Sequence, residues 1–173
     1  MMHAAEVVAL GYRYPGPDSA AALEAAVGKW LHGPIARHME RFVGEISALS
    51  VGEWEELHTA TLDLSPQFVP YVGHVAWGEN YRRGAFMAEL NGAMRDANVE
   101  LFGELPDHIE PVLRYLGSGA ELVSDLVDAL PSAVATMQQT LRKAAPKNPY
   151  NHLLAATVDL AADLRPVSIG TRR

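Results

Sequence analysis

ELPDHIEPVLRYL, Glu104 to Leu116, places a carboxylate, a proline, an acid–histidine pair and an amphipathic helix within thirteen residues. Ile109, Val112, Leu113 and Leu116 recur at three- and four-residue spacing, which puts them on one helical face. Glu104, Asp107 and His108 fall at or just before the start of that helix. Free backbone N–H groups and partial positive charge orient polar side chains there. Asp107 has two readings. As a helix cap it contributes about 1 kcal/mol, and Pro111 then occupies the fourth helical position, where its missing N–H loses a hydrogen bond. If Pro106 is the first helical residue, Asp107 complements the dipole and Pro111 bends the helix. His108 taken alone reads as a surface or satisfied interior histidine.

Working outward, the same periodicity recurs almost throughout, and the alternation of strands is scarce. A first helix is predicted over about Ala4 to Tyr12, stopping at Pro15–Gly16–Pro17. A second starts after Asp18 or Ser19 and ends near Gly33. Pro34 suits the first turn of a third, which runs to about Leu49. Ser50 and Glu53 form a capping-box pair that opens a fourth, to about Leu62. Asp63 to Pro66 breaks the pattern, and Asp63 by itself reads as organising that turn. A fifth helix is predicted near Phe68 to Trp77, with Pro70 in its first turn. A sixth covers about Tyr81 to Ala97 with a core stripe at Phe86, Leu90 and Met94. Ser118 and Glu121 offer a second capping box, opening a helix that Pro131 kinks or restarts. Asn148–Pro149 caps a last helix through Leu164, and the tail 166–173 is expected to be flexible. No repeat or long linker divides residues 1–173. The expectation is all-α: one compact domain of about eight to ten helices.

Composition narrows the function. The chain has 173 residues, net charge −7 and no cysteine. The acidic balance disfavours nucleic acid, whose phosphates need a Lys/Arg surface. Lack of cysteine excludes disulfides, thiol catalysis and Cys-ligated metals. The start, MMHAAEVVALGYRYPG, reads as a poor signal peptide, and no apolar run approaches the roughly 20 residues of a membrane span. A soluble, cytoplasmic protein is expected.

Three polar constellations bear on function. His58, His74 and His108 with Asp63, Glu104 and Asp107 are candidate metal ligands, but none has a metal-helix spacing such as His-Glu-x-x-His. Adjacent helical residues such as Asp107 and His108 also point about 100° apart. No Gly-x-Ser-x-Gly elbow or phosphate loop is present, so nothing favours an enzyme. A binding groove between helices is the third reading. The signature and the stretch from Asp63 to Trp77 both combine apolar walls with acidic groups. Arg82–Arg83 lies mid-chain and is no export signal. It reads as a solvated helix start or a partner for Glu79 or Glu104.

Several stretches together resemble a known family. ALGYRYPG (Ala9 to Gly16) is similar to its leading helix, and LHTATLDL (Leu57 to Leu64) to its Tyr-x-x-x-Phe-Asp region. HVAWGENYRRGAFMAEL (His74 to Leu90), ELPDHIEPVLRYL and NPYNHLLAATVDLA (Asn148 to Ala161) continue the match in order. This pattern resembles the cytoplasmic assembly chaperones of molybdenum oxidoreductases, the TorD/DmsD/NarJ family, above all the NarJ-type chaperones of nitrate reductase. His58 stands where that family usually has Tyr, and Leu62 where it usually has Phe. The resemblance implies an all-helical chaperone without catalysis and with no cofactor of its own. Its partner would be the N-terminal segment of an apo molybdoenzyme catalytic subunit, held until molybdenum cofactor insertion. It also implies a monomer or a domain-swapped dimer, with no stable membrane insertion. The implied peptide groove takes Asp63, Tyr71, His74, Glu104, Asp107 and His108, with Phe68 and Leu105 as apolar walls. Glu104 and Asp107 would meet basic residues of the client, and His108 would add pH dependence near neutrality. The alternatives are a generic helical adaptor that binds a partner helix, and a metal-dependent hydrolase.

Overall fold

The structure, a computed structural model, describes residues 2–64 and 66–164; the tail 166–173 lies outside them. The described residues form α1 (Met2–Gly11), α2 (Ser19–Trp30), α3 (Gly33–Ser47), α4 (Val51–His58), a π turn (Thr59–Asp63), α5 (Val72–Trp77), α6 (Tyr81–Asp96), α7 (Ile109–Gly117), α8 (Ser124–Ala144) and α9 (Tyr150–Ala162). No strand occurs among them. The fold is all-α, built around one apolar core.

Spacing explains most of these helices. Ala36, Met39, Phe42, Val43 and Ile46 give α3 a single buried face, and Pro34 sits in its first turn. The expected capping box opens α4: Glu53 N–H donates to Ser50 Oγ, and Ser50 N–H donates to the Glu53 carboxylate. The most extensive packing joins α1 to α7 and α3 to α9, with α9 also against α8. Gly11 ends α1 where a Cβ would come within 2.6 Å of a Leu153 methyl on α9, so a larger residue there would force Leu153 to shift.

Four local expectations are corrected. The fifth helix starts at Val72, not near Phe68, because the chain before it is committed elsewhere. Val72 N–H donates to Asp107 O (2.8 Å) and Ile109 N–H to Pro70 O (2.9 Å), forming an antiparallel bridge between Tyr71 and His108. Ser118 and Glu121 form no capping box. Ser118 Oγ instead donates to Tyr115 O and accepts from Ala120 N–H, finishing α7, and α8 begins at Ser124. Pro131 does not restart the helix: α8 continues through it from Ser124 to Ala144. The last helix ends at Ala162 rather than Leu164.

His108, not Asp107, caps α7: its Nδ1 accepts from Glu110 N–H at 3.2 Å. Pro111 is then the third helical residue, where a missing N–H removes no helical bond. Asp107 is fully buried. Its carboxylate accepts from Arg83 Nε at 3.0 Å, with Nη2 at 3.4 Å. Arg83 heads the core stripe of α6, one turn before Phe86, Leu90 and Met94, so the helix that buries those residues buries it too. Its third contact is Glu79. Gly73 makes room for the pair, since a Cβ there would lie 2.8 Å from Asp107 Oδ2. Breaking a buried pair strands a charge, so Asp107→Ala should cost about 3–5 kcal/mol. Urea unfolding followed by circular dichroism measures this; a loss below about 1 kcal/mol would mean that water reaches Arg83 as it does a surface cation.

Candidate binding cleft

The loop after α1, the π turn and the strap before α7 enclose a cleft of about 510 Å³. Tyr12, Arg13 and Tyr14 form one wall, His58 and Asp63 a second, and Leu101, Phe102 and Glu104 a third. His108 and Glu110 close it. The π turn is what aims Asp63: widening the last turn of α4 leaves His58 buried while the Asp63 side chain is half exposed. The turn is held from the far end of the chain by Asn148, whose Nδ2 donates to Thr61 Oγ1 and Gln67 Oε1, both at 2.9 Å.

The carboxylates differ in how much of their charge is free. Glu110 accepts from Arg13 (3.1 Å) and from Arg114 (2.7 and 2.9 Å), so two guanidinium groups compensate it. Glu104 accepts from Tyr71 Oη at 3.1 Å and from Leu105 N–H at 2.9 Å, both neutral donors. Burial, reinforced by Glu104, pushes the Tyr71 hydroxyl up to about 12, so it remains a donor. Among the described residues the one charged or titratable group paired with Asp63 is His58, whose Nε2 lies 3.9 Å away. The cleft therefore carries net negative potential at Asp63 and Glu104.

Exposed apolar groups surround these acids. Phe102 is 81% exposed and Tyr14 59%, and Leu64 and Leu105 are also exposed. Phe102 holds φ 51°, a left-handed conformation that costs a side-chain-bearing residue about 1–2 kcal/mol. The Arg114 guanidinium lies 5.5 Å from the ring centre. A slightly larger cavity, about 570 Å³, lies between α1, Trp30 and Val99. Its charged walls, Glu6, Arg13 and Arg114, lean basic.

The expected site residues divide into groups. Asp63, Glu104 and His108 meet in the cleft, and Tyr71 stands behind Glu104, edge-on to the His108 ring at 5.2 Å. Leu105 is exposed beside Glu104 but does not line the cleft. Three expectations need correction. Phe68 is core, not a groove wall. Asp107 is enclosed with Arg83 and presents no carboxylate to a ligand. His74 Nδ1 instead pairs with Glu79 at 2.9 Å, outside the cleft. Tyr12, Arg13, Tyr14, His58, Leu101, Phe102 and Glu110 line the groove without being among the expected site residues. Only His58 had a signal, its place just before a break in the helical pattern. Among the described residues no group of three or more His, Asp or Glu side chains converges as a metal site. No protein-family model matches the chain, and no curated protein matches it.

His58 and His108 are buried to within a few per cent, at 4% and 7% exposure. Burial holds His58 below the ordinary 6.5 against the pull of Asp63, with a further push down from His108. Burial likewise lowers His108, against the attraction of Glu104, Glu110, Asp63 and Asp107. Both rings are therefore neutral at pH 7, and the expected titration of His108 near neutrality is corrected to a more acidic range. As pH falls, the unfolded chain takes up these protons before the folded one does. The stability they contribute is complete above about pH 6.5 and is lost as pH falls from there through the folded pKa values. The urea midpoint should drop between about pH 7.5 and pH 5.5, less so in His58→Asn/His108→Asn; an equal drop in both would assign the effect to other groups.

Proposed function

We propose that this protein is a cytoplasmic assembly chaperone that binds the N-terminal segment of an apo molybdenum oxidoreductase catalytic subunit, nitrate reductase or a relative, and supports molybdenum cofactor insertion. The supporting observation is the cleft, with Asp63 and Glu104 beside exposed Tyr14, Leu64 and Phe102. Such a surface suits a segment that is basic and then apolar: carboxylates take the cations, and the aromatic walls take the apolar side chains. On this reading the chain performs no catalysis and keeps no cofactor. Ordering a disordered segment offsets part of the contact energy, which leaves release easy when assembly is complete.

Calorimetric titration with the N-terminal peptide of such a catalytic subunit should give saturable one-to-one binding, with Kd between about 10 nM and 10 μM, roughly −11 to −7 kcal/mol. No heat with the peptide and no complex with the intact apo subunit would overturn the proposal.

Phe102 gives a variant that separates binding from stability. Asparagine tolerates the left-handed conformation that phenylalanine holds at a cost of about 1–2 kcal/mol. Removing the ring also forfeits an exposed cation–π contact worth about 0.5–1 kcal/mol. Phe102→Asn should therefore melt at or above the wild-type temperature while binding the peptide several-fold more weakly. Unchanged affinity would remove Phe102 from the contact surface.

A further inference from the structure

Two imidazoles in the cleft have one nitrogen committed and one free. His108 Nδ1 accepts from Glu110 N–H, so it carries no proton, and the proton of the neutral ring sits on Nε2. His58 Nδ1 lies 3.0 Å from Tyr150 Oη, which also accepts from Trp54 Nε1 at 3.2 Å. The indole can only donate, and the buried hydroxyl has no other acceptor among the described residues. Tyr150 therefore donates to His58 Nδ1, placing the His58 proton on Nε2 as well. Neither Nε2–H has a hydrogen-bond partner among the described residues; Asp63 is 3.9 Å from His58, beyond bonding range. Neither Nε2 is sealed in the core as an unsatisfied buried atom. Both side chains line the same cleft.

We propose that His58 and His108 are a pair of neutral N–H donors that bind main-chain carbonyl oxygens of a peptide in this cleft. The choice of ligand follows from charge. A free anion would satisfy two donors but is repelled by Asp63 and Glu104, neither of which pairs with a lysine or arginine among the described residues. A peptide carbonyl accepts without bearing charge, and the same chain supplies N–H groups or basic side chains to the two carboxylates. Rigid anchoring keeps both donors in place before the ligand arrives. His58 is tied to the Trp54–Tyr150 pair, and His108 to the first turn of α7. This inference rests on the peptide-binding reading of the cleft, but not on the identity of the client.

Asparagine separates the two nitrogens, because its side-chain oxygen replaces Nδ1 while nothing replaces Nε2–H. His108→Asn keeps a good helix cap, and His58→Asn keeps an acceptor for Tyr150. Full-length protein with 15N-labelled histidine is examined by NMR, first alone and then with two probes. One is the molybdoenzyme N-terminal peptide, and the other is a capped peptide of lysine, leucine and alanine at millimolar concentration. The free protein should show both rings as Nε2–H tautomers. Each probe that binds should shift both Nε2 resonances, and each asparagine variant should bind that probe about five- to tenfold more weakly while keeping the helical circular dichroism of the wild type. Binding of the lysine peptide with both shifts, but none of the molybdoenzyme peptide, would uphold the donor pair and sink the chaperone reading. Tight binding of the molybdoenzyme peptide without histidine shifts would do the reverse. An Nδ1–H tautomer at either ring, or no response of either histidine to both probes, overturns the donor pair.

Discussion

The buried contact between Arg83 and Asp107 is the constraint on which the cleft depends. It ties the core stripe of α6 to the strap that precedes α7. The bridge between Tyr71 and His108 fastens the same strap on its other side, one residue away. Between them they leave residues 104–108 little freedom, and Glu104 and His108 inherit fixed positions. A buried pair of this kind is weak as a source of net stability, because desolvation cancels much of its attraction. Its effect is on geometry: an alternative path for the strap would strand a guanidinium or a carboxylate without a partner.

The cleft is assembled from four separate parts of the chain, each held by a different device. Tyr14 follows α1, which packs closely on α9 where Gly11 faces Leu153. Asp63 is turned outward by one π turn, which Asn148 secures from just before α9. Phe102 occupies a strained turn and gains almost nothing from burial. Strain held by an exposed aromatic ring is hard to explain by folding alone, and it coincides here with two carboxylates that pair with no lysine or arginine among the described residues. Rigid floor, acidic rim and exposed aromatics meet at this one cleft, and they are the features on which the proposed flexible basic partner rests.

The two histidines show how burial changes what a residue can do. In water, an imidazole beside Asp63 or Glu104 would be drawn toward the charged form. Enclosed as they are, both rings stay neutral because the cost of desolvating charge outweighs the attraction of the carboxylates. A neutral imidazole with one nitrogen already bonded is a directional donor. That makes these groups suited to reading an acceptor at a fixed place rather than to sensing pH near neutrality.

What the sequence determined by itself was everything set by local period and local chemistry. Three- and four-residue spacing in α3, α6 and α7 specified helices and their buried faces, and Ser50 with Glu53 specified a helix start, because those signals act over a turn or two. It also marked the Glu104–His108 segment as unusual. Tertiary structure alone decided what each residue there does. Asp107 and Phe68 are buried, and His108 takes the capping role that was one of two readings for Asp107. Arg83 is the instructive case: its register with Phe86, Leu90 and Met94 was legible, but the carboxylate it meets lies 24 residues away. Tyr14, His58 and Phe102 likewise join the site only through packing of distant elements. Spacing along a chain encodes which face of a helix turns inward; it does not encode which distant groups will be waiting there.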